Sequence, residues 1–164
     1  MQLNLDDIIE AQKILDQTIQ AKHRVDYPQI LEELKLALFT ELAELANEVR
    51  SFKFWSIKPS SDKSVILEEY VDGIHFISSL SIAMGVNTDF FLPDNIPIAS
   101  KKDLTIIFNK LFSQMNALSD LNGIHDWFRE YLILGYQLGF TYADIYQAYF
   151  KKNQINFKRQ EENY

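Results

Sequence analysis

Apolar residues recur along this chain at the three- and four-residue spacing that is typical of amphipathic helices. The first run follows Asn4 and Asp7, which resemble a helix start signal, and it continues to Ile19. A second run opens after Pro28, a residue suited to the first turn of a helix, and it extends to about Phe52. The pattern therefore predicts two amphipathic helices in the first third of the chain.

The remaining helices are separated by polar or proline-containing segments. Residues 58–64 are polar, and we expect a third helix from about residue 62 to residue 84, with Gly85 as its stop. The next segment, residues 86–100, contains two prolines and is expected to be a loop.

Three more helices are expected after that loop. Ser100 resembles an N-cap and opens the fourth helix, and the Asn122-Gly123 dipeptide is expected to end it. The fifth helix is expected over residues 124–138, and Thr141 resembles the cap of a short sixth helix. Since no strand pattern is present, the sequence predicts an all-α fold, a single domain over residues 1–164 built as a bundle of about six helices.

Composition limits the classes of function. The chain has 164 residues, of which 47% are hydrophobic and 13% aromatic, enough for one substantial core. Its formal net charge of -7 opposes binding to nucleic-acid polymers and anionic membranes. The absence of cysteine excludes thiolate zinc sites and cysteine nucleophiles. With no leader pattern and no membrane-spanning run, we expect a cytoplasmic protein without a membrane partner.

Two matched acidic pairs carry the main chemical signal. Glu41 and Glu44 lie in the second predicted helix, and Glu69 and Asp72 lie in the third. The spacing of three residues puts the carboxylates of each pair on one helix face, where like charges repel. A hard divalent cation is the simplest partner for such oxygen-only ligands.

The position of the acidic stripe favours a metal site. On a helical wheel Glu44 lies at about 300° from Glu41, beside the apolar stripe and not opposite to it. Antiparallel neighbouring helices can place both pairs at one level of a bundle. Oxygen-only ligation favours magnesium or manganese over iron or zinc, and we expect His75 to be a hydrogen-bonding or core residue. The alternative interpretation is a solvated acidic surface.

Basic residues cluster at the end of this acidic chain. Lys151, Lys152, Lys158 and Arg159 lie within its last 14 residues. A frayed and solvated tail is one interpretation, because chain ends are commonly so. The other is a phosphate-binding segment, since Arg and Lys both suit phosphate contacts.

The motifs together resemble a known family. E-x-x-E is followed by F-K-F-W-S, E-x-x-D-G-I-H-F and a terminal K-N-x-x-N-x-x-R-Q-x-x-N-Y. This order resembles the dimeric all-α dUTPases, which belong to the wider all-α nucleoside-triphosphate pyrophosphohydrolases that include MazG-like proteins. The resemblance implies conversion of dUTP, and of dUDP as a further substrate, to dUMP. It also implies two or three Mg²⁺ ions per site, with Mn²⁺ as a substitute, and a homodimer.

The resemblance also implies roles for individual residues. Glu41, Glu44, Glu69 and Asp72 would hold the metal, and Glu41 would orient or deprotonate the attacking water. A C-terminal tail of about residues 152–164 would close over the site. Because this tail has few apolar residues, we also expect it to be mobile without substrate. The phosphate contacts would come from Lys152, Asn156, Arg159 and Tyr164. The contacts to base and sugar would come from Gln12, Asp16, Trp55, Asp72 and Phe76.

Two positions depart from the family pattern. Asp16 stands where relatives often have asparagine, and Phe54 stands where they often have tryptophan. An ionised acid offers only acceptors, so it can satisfy the uracil N3–H but not a carbonyl. The alternatives are therefore a MazG-like pyrophosphohydrolase with another base preference, such as dCTP, and a non-enzymatic helical interaction protein.

Overall fold

The structure is a computed structural model that describes residues 1–162. Within that range the chain forms six α-helices, as the sequence predicts. They are α1 (Asp6–His23), α2 (Leu31–Val49), α3 (Lys63–Met84), α4 (Lys101–Ser113), α5 (Leu121–Gln137) and α6 (Tyr142–Glu161).

Short elements complete the fold. Two 3₁₀ helices, Tyr27–Gln29 and Met115–Ser119, precede α2 and α5. Strand β1 (Gln2–Leu3) pairs antiparallel with β2 (Phe90–Phe91). Two residues are too few to produce an alternating sequence pattern, so neither strand was predicted. The all-α prediction is confirmed.

Some helix boundaries differ from prediction because of local capping. Arg50 adopts a left-handed conformation with φ 59°, and it ends α2 at Val49, before the expected Phe52. The Asp120 side chain accepts a hydrogen bond from the Gly123 amide at 2.9 Å and caps α5. The Asn122-Gly123 dipeptide therefore lies inside the first turn of α5, and its prediction as a helix break is wrong.

The sixth helix is long, and the prediction of a short one is wrong. Thr141 and Asp144 form a capping box at its start, and the helix continues for 20 residues. Tyr149 and Asn153 remain buried along it, so its inner face extends well beyond the first turns. His23 of α1 also forms a hydrogen bond with Gln160 at 2.9 Å. The basic segment up to Glu161 is therefore the end of a packed helix and not a loose tail.

Helix α3 lies at the centre of the core and packs against α1, α2, α5 and α6. Its contact with α5 is a reciprocal tyrosine pair: Tyr70 donates to the Tyr131 carbonyl at 3.1 Å, and Tyr131 donates to the Tyr70 carbonyl at 3.0 Å. Glycines make room for both rings. A Cβ at Gly73 would lie 2.1 Å from the Tyr131 hydroxyl, and one at Gly135 would lie 2.5 Å from the Tyr70 hydroxyl.

The connection between α2 and α3 folds α3 back along α2. The Ser61 amide donates to the Glu48 carbonyl at 3.0 Å, and the Ser60 hydroxyl donates to the Val49 carbonyl at 2.7 Å. The start of α3 is thus held at the end of α2. Because the two helices then run in opposite directions, Glu41 comes to face Glu69 and Asp72.

Candidate active site

Three of the four predicted metal ligands converge. One carboxylate oxygen from each of Glu41, Glu69 and Asp72 lies within 4.8 Å of the others, and all three residues are partly buried. Helix α2 supplies the first and α3 supplies the other two, whose spacing of three residues puts them on the same face. This group is a set of hard oxygen donors at the α2–α3 contact.

Burial and mutual repulsion weaken the acidity of this cluster. Burial raises the pKa of Glu41 to about 7, and the charges of Asp72, Glu44 and Glu69 add to the effect. Burial also raises the pKa of Glu69, with Asp72 and Glu44 again contributing. The carboxylates are therefore not fully compensated by protein groups, and a divalent cation would relieve their repulsion.

Glu44, the fourth predicted ligand, is exposed and lies outside the 4.8 Å cluster. Its negative charge nevertheless helps raise the pKa of both Glu41 and Glu69. Glu44 is thus close enough to act electrostatically, and its role as a ligand stays a prediction.

Lys152 of α6 is a cation in direct contact with the cluster. Its Nζ lies 2.7 Å from Asp72 and 3.2 Å from Glu68. Burial alone would lower the pKa of Lys152, but the hydrogen bonds and charges of these two carboxylates outweigh it and raise the pKa. Burial raises the pKa of Asp72, against the opposing effect of Lys152. The predicted phosphate-binding lysine therefore lies at the edge of the predicted metal site.

A cleft of about 170 Å³ opens beside the carboxylates. This volume is smaller than the roughly 300–1,000 Å³ of pockets that enclose a whole drug-sized ligand, so it suits part of a nucleotide. Eight predicted site residues line it: Gln12, Asp16, Glu41, Asp72, Phe76, Lys152, Asn156 and Arg159.

The inner end of the cleft is a hydrogen-bonded network centred on Gln12. The Gln12 Nε2 donates to Asp16 Oδ1 at 2.8 Å and to the Ser79 hydroxyl at 3.0 Å. Its Oε1 accepts from the Tyr149 hydroxyl at 2.7 Å and pairs with His75 Nδ1 at 2.7 Å. His75 also stacks on Tyr149, with ring centroids 4.3 Å apart. The expectation that His75 is a hydrogen-bonding core residue is confirmed.

Burial sets the protonation of this network. It lowers the pKa of His75 to about 3, with the nearby Lys152 charge contributing, so the imidazole is neutral at physiological pH. Burial raises the pKa of Asp16 to about 6, against the opposing hydrogen bonds from Gln12 and Ser79. The end of the cleft that is predicted to bind the base thus contains a carboxyl group whose pKa is raised to about 6.

One predicted contact, Trp55, does not line the cleft. Trp55 is 65% exposed on the loop between α2 and α3, where it packs edge-on against Phe52 and Phe54. Tyr164, another predicted contact, lies outside the described residues. The uracil contact of Trp55 stays a prediction that the cleft of a single chain does not support.

Sequence reasoning missed three members of the cleft and its network. Ser79, Tyr27 and Tyr149 were not singled out, because their roles depend on contacts between helices distant in sequence. Ser79 carried a usable signal: it lies four residues after His75 and seven after Asp72, on the same face of α3. Tyr27 and Tyr149 had no sequence signal that pointed to the cleft.

Comparison with known proteins identifies a family. A family model described as dUTPase matches residues 4–164. No curated protein sequence matches the chain. Among residues 1–162, no helix is both long enough and apolar enough to cross a membrane.

Proposed function

The chain belongs to the all-α dUTPase family and is a dUTP diphosphatase, and from this premise we propose that it uses Mg²⁺ to hydrolyse dUTP, and also dUDP, to dUMP. The observation that carries the proposal is the meeting of Glu41, Glu69 and Asp72 beside a cleft that also contains basic side chains. Paired acidic and basic groups are what a metal-assisted reaction at a phosphate requires.

The donor set fits a hard divalent cation. All three converging ligands are carboxylates, and no cysteine exists to favour a softer metal. We propose two or three Mg²⁺ ions per site, with Mn²⁺ able to substitute and Glu44 as a further ligand. When bound, such ions neutralise phosphate charge and make a water molecule more acidic.

Glu41 is the proposed catalytic residue. Its side chain reaches both the carboxylate cluster and the cleft, so it lies between the metal site and the substrate. A carboxylate in this position can act as a general base toward a water molecule in the cleft. Its proposed role is to orient the attacking water and accept its proton.

Residues of α6 are proposed to bind the phosphates. Lys152, Asn156 and Arg159 recur at spacings of four and three residues, so they share the face of α6 that borders the cleft. An arginine can form two parallel hydrogen bonds to a phosphate, and a lysine supplies a point charge. Tyr164 is proposed to complete this set, and Phe76 and Asp72 to lie near the deoxyribose.

A homodimer is proposed from the exposed apolar loop between α2 and α3. Phe52, Phe54, Trp55 and Ile57 are all exposed there, and Trp55 contacts both phenylalanine rings. Contiguous exposed apolar side chains commonly mark an interaction surface. A two-fold dimer would bury this loop with self-complementary contacts.

A cytoplasmic location is proposed as well, because a chain without cysteine has no need of an oxidising compartment.

Magnesium-dependent release of pyrophosphate from a panel of nucleotides tests the proposed function. Glu69→Gln should lower dUTP hydrolysis by orders of magnitude, since charge stabilisation is usually the largest catalytic contribution. The exposed Glu33→Gln, far along α2 from the cluster, is a matched control and should retain full activity. Hydrolysis that persists in excess chelator, or normal turnover by Glu69→Gln, would contradict the metal site.

A further inference from the structure

The Gln12 amide has no free hydrogen-bonding capacity. A glutamine has two N–H donors and two acceptor lone pairs. Both donors are used by Asp16 and Ser79, and the oxygen receives Tyr149 and His75. A base entering the cleft would have to break one of these bonds in order to contact Gln12. Gln12 is therefore a positioning residue, and other atoms must contact the base.

Two buried polar atoms of this network lack a hydrogen-bond partner among the described residues. One is Asp16 Oδ2, on a residue that is 2% exposed; the other is His75 Nε2, on a residue that is 5% exposed. Buried polar groups without a partner are costly and uncommon in native proteins. Both residues line the same cleft, so a bound ligand can satisfy both atoms.

The network fixes which ring nitrogen of His75 carries the proton. Because Gln12 Oε1 can only accept, His75 Nδ1 must carry the proton, and Nε2 is then an acceptor. Uracil has an N3–H donor, whereas the N3 of cytosine is an acceptor. His75 thus favours uracil, and it does so equally over the neutral pH range because burial keeps its pKa near 3.

Asp16 Oδ2 differs from His75 Nε2 because it is a hydrogen-bond donor when Asp16 is protonated and an acceptor when Asp16 is ionised. Asp16 Oδ1 already accepts from Gln12 and from the Ser79 hydroxyl, both at 2.8 Å, so Oδ2 is the oxygen left for the base. We propose that Asp16 sets the base preference through its protonation state. As a neutral acid its Oδ2–H donates to a carbonyl of uracil, and as a carboxylate the same oxygen accepts from the amino group of cytosine. This inference rests on the proposed function.

Asp16 changes its protonation state within a pH range in which the enzyme can be assayed, since burial raises its pKa to about 6. Burial and the Asp16 charge raise the pKa of Tyr27 and of Tyr149, so both phenols stay neutral there. Bound dUTP and dCTP would face the same remaining groups and carry the same triphosphate. The titratable and charged groups facing Asp16 are Tyr27 of the first 3₁₀ helix, Glu41 of α2, Asp72 and His75 of α3, and Tyr149, Lys152 and Arg159 of α6.

Competition between the two nucleotides isolates the effect. Equal amounts of dUTP and dCTP are incubated with the enzyme and Mg²⁺ between pH 5.5 and pH 8, and the ratio of their kcat/KM values is read from their relative consumption. The titration of the metal site and of the phosphates affects both substrates and cancels in this ratio. The dUTP preference should fall by about tenfold for each pH unit across this range, because dUTP uses the neutral acid of Asp16 and dCTP uses its carboxylate.

Two variants identify the residue responsible. Asp16→Asn keeps the shape and the acceptor at Oδ1 but cannot titrate, so its ratio should be constant with pH. Ser79→Ala removes a hydrogen bond that lowers the pKa of Asp16, so its dUTP preference should exceed that of the wild type at every pH. If Asp16→Asn does not fold, the wild-type slope and the increase in Ser79→Ala still decide the question.

The outcomes separate this inference from the proposed function. A protein that hydrolyses no deoxyuridine nucleotide at any pH refutes the proposed function. A protein that hydrolyses dUTP with a constant ratio, with the same slope in Asp16→Asn, or without consuming dCTP at pH 8 retains the proposed function and overturns the role of Asp16.

Discussion

Replacing Glu41 with glutamine should stabilise the metal-free protein while abolishing most of its activity. Burial and neighbouring carboxylates raise the pKa of Glu41 from 4.5 to about 7. This difference of about 2.5 corresponds to about 3 kcal/mol at 1.36 kcal/mol per pKa unit. Because the side chain is only partly buried, solvent screening reduces the expected effect to about 1–2 kcal/mol. Hydrogen bonds do not contribute to the pKa of Glu41, which is set by burial and by neighbouring charges.

The pH dependence has a definite sign. Since the pKa of Glu41 is higher in the folded state, its contribution to stability is fully present below about pH 4.5 and is lost as the pH rises through about 7. Without metal, Glu41→Gln should therefore match the wild type near pH 5 and exceed its free energy of unfolding by about 1–2 kcal/mol at pH 8. Added Mg²⁺ should stabilise the wild type more than the variant, because a ligand stabilises the state that binds it.

Urea unfolding in chelator at pH 5 and pH 8, repeated with Mg²⁺, measures all of these quantities. Glu33→Gln, also on α2 but exposed in its first turn, is the matched control and should change stability by less than about 0.5 kcal/mol at either pH. A Glu41→Gln protein that is less stable than the wild type at pH 8 without metal would refute the repulsion argument. Normal hydrolysis by this variant would remove Glu41 from the catalytic role.

Three further perturbations test other parts of the structure. Lys152→Met leaves Asp72 without its 2.7 Å partner, so the metal-free protein should lose about 1–3 kcal/mol of stability in urea unfolding. Calorimetric titration should also show tighter Mg²⁺ binding by this variant, because the ammonium no longer competes for Asp72, and unchanged affinity would argue against that competition. Gly73→Ala places a Cβ 2.1 Å from the Tyr131 hydroxyl and should cost at least about 2 kcal/mol, so an unchanged melting temperature would mean that this contact does not fix the α3–α5 spacing. Light scattering at micromolar concentration should show a dimer for the wild type and more monomer for Phe54→Ser, whereas a wild-type monomer would refute the proposed interface.

Local sequence spacing was sufficient to predict the carboxylate cluster. Glu69 and Asp72 share a face because they are three residues apart on a helix, and the connection between α2 and α3 forces an antiparallel return that brings Glu41 to them. The same spacing could not show that Glu44 remains exposed, since that depends on how α2 is rotated against α3. The length of α6 was missed because its buried positions after Tyr149 are polar, as at Asn153.

The polar network of the cleft could not be predicted from spacing. Gln12 meets Ser79 across 67 residues of sequence and Tyr149 across 137, and such contacts are set by the packing of α1, α3 and α6 together. The resemblance to a family indicated Gln12 and Asp16 but not which of their atoms remain available. That information required the hydrogen-bond partners of each atom.

The reciprocal tyrosine pair has a consequence for how this protein can diverge. Gly73 directly follows Asp72. The space beside Gly73 is occupied by Tyr131, and the space beside Gly135 is occupied by Tyr70. A larger residue at Gly73 or Gly135 is tolerated only if the facing tyrosine is also replaced by a smaller residue. Single substitutions at these two glycines should therefore be selected against. Mutational drift should therefore change the scaffold beneath the carboxylates only by compensated double steps.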